Sequence, residues 1–147
     1  MTVEQNVGLG LSPSLKLNTE GRARVAAAIA RVGLDGLNKR KPSALSGGQI
    51  ARVALARLLV QDNPVMLLDE PFAALGPGMR AEMLDLVSEL AKETGATLLM
   101  VSHAPEDALR IADQVIVVAD GAANLPVSTE TLFSNPPKAM RDWLGQD

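Results

Sequence analysis

Three short segments of the sequence combine residue types that bind phosphate or a metal ion. The first places a serine before two glycines and a glutamine, Ser46 to Gln49. A helix that begins after Ser46 would present free N–H groups and the positive end of its dipole, which favours a phosphate there. Gly47 and Gly48 carry no Cβ, so a ligand can approach their backbone closely. The alternative for the same residues is an ordinary capped helix start.

The second and third segments each follow an apolar run. Asp69 and Glu70 come after one run, and Ser102 and His103 come after another. Carboxylates at the end of a buried strand are costly unless they are paired or bind a metal ion. Asp69 and Glu70 could instead simply cap the next helix. His103 is the only histidine, and taken alone such a residue more often caps a helix or lies in a core than takes part in catalysis.

The spacing of apolar residues predicts the elements that hold these side chains. Periodicity and cap residues indicate helices at 19–32, 46–60, 78–93, 105–111, 129–133 and 138–144, with at most one short helical turn in the first 18 residues. Apolar runs indicate strands at 65–68, 97–101 and 115–119, and Asp120-Gly121 predicts a turn after the last of them. Asp107 and Asp113 are predicted to be ordinary charges at helix ends.

The order of these elements predicts an α/β fold. A β-α-β-α-β sequence implies right-handed crossovers and a parallel sheet covered by helices. Because the runs are continuously apolar, we expect the strands to be buried on both faces. Ligands of open parallel sheets bind just beyond the carboxyl ends of the strands. The polar pairs Asp69-Glu70 and Ser102-His103 stand at such ends.

Composition narrows the class of protein. The chain of 147 residues is about one domain long, and its 47% hydrophobic and 21% charged residues exclude wholesale disorder. A net charge of −3 argues against a surface that binds nucleic acid. With no cysteine, a disulfide scaffold and a thiolate metal site are excluded. No apolar run approaches the length of a membrane span, so we expect a soluble chain.

Taken together, the three segments resemble the ATP-binding subunits of ABC transporters. Leu45-Ser46-Gly47-Gly48-Gln49 matches the signature loop of that family, residues 65–71 resemble its Walker B strand, and Val101-Ser102-His103 resembles its switch-histidine loop. The spacing between the segments is also that of the family. The resemblance implies a P-loop NTPase sheet with a helical subdomain, where 1–60 is the remainder of the helical subdomain and 61–147 is the C-terminal part of the ATPase core.

The resemblance also implies a role for each candidate residue, with ATP and Mg²⁺ as cofactors. The γ-phosphate held by a second subunit would contact the signature-loop residues Ser46, Gly47, Gly48 and Gln49. Asp69 would hold Mg²⁺ through water, and Glu70 would orient and polarise the attacking water. His103 would sense the γ-phosphate. The implied partners are a second ATP-binding subunit and integral-membrane permease subunits, with no nucleic acid. The implied location is peripheral, at the cytoplasmic face of the bacterial inner membrane.

Two departures from the family pattern are visible in the sequence. No Gly-x-x-x-x-Gly-Lys-Ser/Thr pattern, the Walker A loop, occurs in these residues. In the family sheet the Walker A strand lies beside the strand 97–101, so we expect a sheet that is incomplete at the N-terminus, with unpaired edges and poor folding of the isolated chain. In the loop after Walker B, Gly76 stands where the family usually has an aspartate, which bears on communication between the two nucleotide sites.

The opening residues point to the transported solute. The segment 2–17, with its Gly-Leu-Gly-Leu and Leu-Lys-Leu stretches, is similar to that of thiamine-importer ATP-binding subunits. The sequence therefore predicts an ATPase subunit that couples ATP hydrolysis to uptake of a small solute, with thiamine as the first choice. The alternative is a catalytically incompetent fragment or interaction module without its own nucleotide grip. A DNA-repair relative is disfavoured, because neither heptads nor cysteines are present.

Overall fold

The computed structural model describes residues 1–138, 140 and 141. The chain forms two compact units, Met1–Val101 and a second unit that begins at Ser102. Within the described residues, the first unit holds the longer helices and a parallel pair of strands, and the second holds short strands and helices. The fold is α/β, as the sequence predicts.

Capping residues set the ends of the helices in the first unit. These helices are α1 (Val3–Gly8), α2 (Thr19–Arg31), α3 (Gly47–Gln61) and α4 (Pro77–Thr94), with a 3₁₀ turn at Pro42–Ala44. Side-chain oxygens of Thr2 and Asn18 cap α1 and α2. The predicted stop at Gly33 is confirmed, since this glycine adopts φ +70° just after α2. α1 exceeds the single turn predicted, because Thr2 and Gln5 form a capping box.

α3 is the centre of the helical part, since both α1 and α2 pack against it. The buried apolar residues of these three helices include Val3, Val7, Val25, Ile29, Val53, Ala56 and Val60. The segment after α1 approaches α3 very closely: a Cβ on Gly10 would lie 2.6 Å from the carbonyl oxygen of Arg57 and 2.7 Å from Cγ2 of Val60. Arg24 of α2 donates from Nη2 to the carbonyl oxygen of Val60 at 2.8 Å. The end of α3 is thereby fixed by both neighbouring elements.

α4 packs beside α3 and is tied to the other helices by arginines. Its buried side chains include Met83, Leu86, Val87 and Leu90, which confirms the predicted apolar face. Arg52 of α3 donates to the carbonyl oxygen of Val32 at 2.8 Å and pairs with Glu82 of α4. Arg31 of α2 donates from Nε to Oε2 of Glu93 at 2.9 Å. Ion pairs of Arg31 and Arg52 with glutamates of α4 therefore connect α4 to α2 and α3.

The first unit contains a parallel pair of strands, β1 (Val65–Asp69) and β2 (Thr97–Val101). Val65 lies opposite Thr97, and Asp69 lies opposite Val101. Successive side chains point to opposite faces, so Met66 is buried while Leu67 is 66% exposed and Leu99 is 52% exposed. The expectation that both faces are buried is therefore wrong for the described chain. One face of the sheet is covered, and the other presents apolar side chains to solvent.

The second unit differs most from the prediction. Its elements are α5 (Pro105–Ile111), β3 (Gln114–Val115), β4 (Val118–Ala119), β5 (Ala122–Ala123), β6 (Val127–Ser128) and α6 (Thr129–Ser134). The single strand predicted at 115–119 is wrong, because it is two short strands interrupted at 116 and 117. β3 pairs with β6 and β4 pairs with β5, both antiparallel. Neither joins a parallel pair within the part of the chain that the structure describes.

The predicted turn at Asp120-Gly121 explains this difference. Both residues have positive φ, +50° and +74°, which is the conformation that closes a two-residue hairpin. Val118 and Ala119 accordingly pair back onto Ala123 and Ala122. A turn this tight returns the chain along the strand it has just left, so β4 acquires an antiparallel partner.

The remaining predictions concern the helices and the tail. The helices expected near 46–60, 78–93, 105–111 and 129–133 are confirmed as α3, α4, α5 and α6. The helix predicted at 138–144 falls largely outside the described residues. Among the helices that are described, none has the length and apolar character needed to cross a bilayer.

Candidate functional site

A reciprocal cap closes the first turn of α3. The Gln49 N–H donates to Oγ of Ser46 at 3.3 Å, and the Ser46 N–H donates to Oε1 of Gln49 at 3.0 Å. Ser46 is therefore the N-cap of α3, as predicted, and Gln49 completes a capping box. Within the described residues, no acceptor contacts the N–H groups of Gly47 and Gly48. These two groups are the donors that a helix start leaves for a ligand.

The two glycines of this turn have different surroundings. Gly47 is exposed, and a Cβ placed on it would meet only Cδ2 of Leu75, at an ordinary 3.6 Å. Gly48 is buried, and a Cβ there would lie 2.5 Å from Sδ of Met79. The sequence predicts that both glycines open the backbone to a ligand. The geometry offers Gly47 for such an approach and packs Gly48 against the chain's own α4.

The end of β1 presents the two acidic residues differently. Asp69 is exposed, whereas Glu70 is half-buried with its Oε2 atom withdrawn from solvent. The Glu70 N–H donates to the carbonyl oxygen of Val101 at 3.0 Å. Glu70 has φ +45°, a region that residues other than glycine seldom adopt. Such conformations persist where the surrounding structure imposes them, and they concentrate at functional sites.

The alternative that Asp69 and Glu70 merely cap the next helix is excluded. α4 begins after Gly76, which is its N-cap, and no side chain makes a cap hydrogen bond there. Gly76 thus occupies the position where an aspartate would supply the missing capping oxygen. The departure from the family pattern at this residue leaves the start of α4 uncapped.

His103 belongs to the second unit. The residues on either side of it in the sequence, Ser102 and Ala104, take part in hydrogen bonds. Oγ of Ser102 donates to Oδ2 of Asp107 at 2.6 Å and accepts from the Ala104 N–H at 3.1 Å. His103 is exposed, which excludes a core role. The N-cap of α5 is Ala104, without a side-chain cap hydrogen bond, so His103 does not cap that helix either.

Asp107 is a residue that the sequence interpretation missed. It is only 4% exposed, so its prediction as an ordinary helix-end charge is wrong, whereas Asp113 is exposed. The signal was present in the sequence: Ser102 precedes Asp107 by five residues across a helix start at Pro105. A serine at a strand end and an acidic residue in the first turn of the next helix can reach each other at this spacing.

The acidic side chains of the described residues suit a hydrated metal ion such as Mg²⁺, not an ion held by several protein ligands. Among the described residues, no three or more His, Asp or Glu side chains cluster so as to hold a metal ion by themselves. Mg²⁺ does not need such a cage, because it is commonly bound by one or two carboxylates together with phosphates and water. The exposed Asp69 at the end of β1 is a single carboxylate of this kind. The N–H donor of Gly47 lies at the start of α3, a separate element of the same unit.

Comparison with known proteins agrees with this chemistry. The ABC transporter family matches residues 1–73. A thiamine import ATP-binding protein, ThiQ, from Ruegeria sp. is 60% identical over 99% of this chain and 63% of its own length. The ThiQ protein of Cereibacter sphaeroides is 59% identical over the same shares. The chain thus spans under two thirds of the length of these curated relatives.

A solved structure agrees in fold. The structure of cbiO1 from Clostridium perfringens, part of the ABC transporter complex cbiONQ, is 33% identical and superposes with a TM-score of 0.81. The match covers 96% of this chain and 56% of that one. The chain is therefore similar to part of the ATP-binding proteins of ABC transporters. Its curated relatives are thiamine import ATP-binding proteins.

Proposed function

We propose that this chain is part of an ATPase that drives an ABC importer, with thiamine as the solute taken up. The observation that carries the proposal is Glu70, whose backbone is held in a left-handed conformation at the end of β1 and whose N–H donates to the carbonyl oxygen of Val101. Strained conformations of this kind are kept where positioning of a side chain matters. The relatives' names supply the expectation of ATP binding and thiamine import.

The first turn of α3 is the phosphate-binding part of the proposal. The N–H groups of Gly47 and Gly48 and the positive end of the helix dipole favour an anion, and Gly47 is open to solvent. Ser46 and Gln49 hold this turn in shape through their capping box. By family resemblance, the phosphate is the γ-phosphate bound by a second copy of the ATP-binding subunit.

The end of β1 supplies the charged groups. Asp69 is exposed and provides one carboxylate for a hydrated Mg²⁺. ATP with Mg²⁺ provides the transferable phosphoryl group, whose charge the ion neutralises. Glu70 orients and polarises the attacking water, a role for which its partly buried carboxylate is suited. His103, which is exposed, acts as the sensor of the γ-phosphate.

The wider assembly follows from the same family. We propose a homodimer of ATP-binding subunits that docks on integral-membrane permease subunits, at the cytoplasmic face of the bacterial inner membrane. The division into residues 1–60 of a helical subdomain and 61–147 of an ATPase core remains a prediction. The alternative of an incompetent interaction module is not favoured, because 99% of the chain aligns with proteins named for ATP-binding import.

Substitution of Glu70 tests the chemical part of the proposal. In the full gene product, Glu70→Gln removes the charge that polarises water, and we expect ATP turnover to fall by about 100-fold or more. ATP-induced pairing of subunits should survive. Glu20→Gln, at an exposed residue in the first turn of α2, is the matched control and should keep normal turnover. Unchanged turnover in Glu70→Gln would remove Glu70 from its assigned role.

The solute is tested separately from the chemistry. A cell that lacks the gene should lose uptake of labelled thiamine, and the gene should restore it while the Glu70→Gln version does not. Loss of uptake of a different solute, with thiamine uptake intact, would overturn the thiamine assignment and leave the ATPase assignment standing. Failure of the full gene product to bind ATP would overturn both.

A further inference from the structure

Asp107 is a buried acidic residue that the proposed mechanism does not use. We propose that Asp107 is a positioning residue for His103, and that it acts through the hydroxyl of Ser102. The inference rests on the proposed function for the role of His103, and on hydrogen-bond geometry for the way its loop is held. Asp107 touches neither phosphate nor metal ion in this proposal. It fixes the backbone from which the His103 side chain projects.

Burial distinguishes Asp107 from the rest of α5. Only 4% of Asp107 is exposed, and it is the buried residue of this helix, whereas Leu109 two positions later is 58% exposed. Aspartate is seldom buried unless a partner satisfies its carboxylate. α5 therefore turns an acidic side chain inward where an apolar one would ordinarily pack. The orientation of its first turn depends on the hydrogen bonds of Asp107.

Three hydrogen bonds link Asp107 to the residues on either side of His103. Oγ of Ser102 donates to Oδ2 of Asp107 at 2.6 Å, a distance typical of donation to an ionised carboxylate. The same Oγ accepts from the Ala104 N–H at 3.1 Å. The Asp107 N–H donates to the carbonyl oxygen of Ala104, also at 3.1 Å. These bonds close a ring through Ser102, Ala104 and Asp107, and the backbone of His103 belongs to the closed segment.

The ring restricts the direction in which the His103 side chain can point. A serine hydroxyl that accepts from the N–H two residues later forms a tight turn, and His103 is the central residue of this one. Without the Asp107 carboxylate, the hydroxyl can rotate toward water and the turn can open. With it, the backbone on both sides of His103 is held against the first turn of α5, while His103 itself is exposed.

The length of the aspartate side chain explains why the serine is needed. Asp107 is the third residue of α5. From this position a glutamate or glutamine in a capping box reaches back to the N–H of the N-cap residue, but aspartate is shorter by one methylene. The Ser102 hydroxyl spans the distance between Asp107 and the N–H of the N-cap residue Ala104. The two side chains thus act as a unit, and loss of either should have the same consequence.

Paired substitutions in the full gene product test the proposal. Asp107→Ala and Ser102→Ala each open the ring, so kcat for ATP hydrolysis should fall about tenfold, while KM for ATP changes less than about twofold. Because both act through one bond, the double variant should be no slower than the slower single variant. Asp107→Asn keeps an acceptor and Ser102→Thr keeps a hydroxyl, so each should keep kcat within about threefold of the parent protein.

A matched control and a choice of temperature separate positioning from a merely structural role. Glu106→Ala removes an exposed carboxylate from the same turn of α5 and should retain the kcat of the parent protein. Each kcat is measured about 15 °C or more below the melting temperature of that variant, so that unfolding does not contribute. A merely structural bond would lower the melting temperature and leave kcat unchanged under these conditions.

Amide hydrogen exchange tests the geometry without reference to catalysis. The Ala104 N–H is bonded to the Ser102 hydroxyl, and this bond is the part of the ring that adjoins His103. Its exchange should be about tenfold faster in Asp107→Ala than in the parent protein, because the turn opens more often. In Glu106→Ala the exchange rate should stay at the parent value.

Three results would overturn the proposal: an Asp107→Ala protein with the kcat of the parent, a Glu106→Ala protein that loses as much kcat as Asp107→Ala, or unchanged exchange of the Ala104 N–H in Asp107→Ala. If Asp107→Ala does not fold, the comparison of Ser102→Ala with Ser102→Thr decides the question, because Ser102→Ala removes only a hydroxyl. A parent protein without ATP turnover would instead contradict the proposed function, and exchange of the Ala104 N–H would still decide whether Asp107 holds the loop.

Discussion

The hydroxyl of Ser102 donates to the carboxylate of Asp107, with Oγ and Oδ2 2.6 Å apart. The same hydroxyl accepts from the Ala104 N–H, so it bridges the end of the loop and the first turn of α5. Asp107 is nearly inaccessible to solvent. A buried carboxylate is stable only when its hydrogen bonds are satisfied. Here Oδ2 of Asp107 accepts a hydrogen bond from the loop that contains His103.

Removal of the Asp107 carboxylate should loosen this loop. Asp107→Ala removes the carboxylate that accepts from the Ser102 hydroxyl, and we expect a loss of about 1–3 kcal/mol in the free energy of unfolding. The measurement is denaturant unfolding of the full gene product. Asp113→Ala removes an exposed carboxylate from the same region and should change stability by less than about 0.5 kcal/mol. Equal effects of the two substitutions would contradict a structural role for Asp107.

The second prediction concerns the stability of a variant at Gly10, which is closely packed against α3. Gly10→Ala would place a methyl group against the Arg57 carbonyl and the Val60 side chain. Because both belong to α3, which is packed on several sides, we expect a loss of about 1–3 kcal/mol, measured by thermal or denaturant unfolding. Gly78→Ala is the control, since nothing lies within 4 Å of its Cβ position. That variant should be as stable as the parent protein or slightly more stable, because alanine favours the helix.

A third prediction concerns pH. The hydrogen bond from Arg31 lowers the pKa of Glu93 below its usual value and raises the pKa of Arg31. A lowered carboxyl pKa means stability that is present at neutral pH and is lost as the pH falls below about 4. The raised pKa of Arg31 keeps its charge throughout the accessible range and adds no further pH dependence there.

The test compares Glu93→Gln with the parent protein across pH. At pH 7 the variant should melt about 1–2 °C lower, and the difference should shrink as acid protonates Glu93 or as salt is raised to about 1 M. Both side chains are partly exposed, which is why the effect is small. Glu89→Gln, whose carboxylate lies 3.7 Å from the same guanidinium, should show a weaker effect. A difference that persists in acid would assign the contact to packing rather than to charge.

Local pattern was sufficient for most elements of the first unit. The cap at Ser46, the stop at Gly33 and the positions of strands β1 and β2 all follow from short-range signals that the structure confirms. These signals work because caps and strand periodicity depend on residues within a few positions of each other. The extra length of α1 was missed because its capping box begins at Thr2, ahead of any apolar repeat.

What escaped prediction depends on contacts between segments. The split of residues 115–119 into β3 and β4 depends on which strands pair with each part. The apolar run alone does not indicate those partners. The burial of Asp107 depends on Ser102 reaching across a helix start. The sequence could not distinguish Gly48 from Gly47, because their difference lies in the position of Met79 on another helix.

The length of α3 has a mechanical consequence. Its fifteen residues span about 22 Å, with the glycine turn at one end and the contacts of Gly10 and Arg24 at the other. A tilt of about 5° about its C-terminal end would move the first turn by roughly 2 Å, since a helix behaves as a stiff rod over this length. A displacement of the segment at Gly10 that tilts α3 would therefore move the amide of Gly47, at the opposite end of the helix.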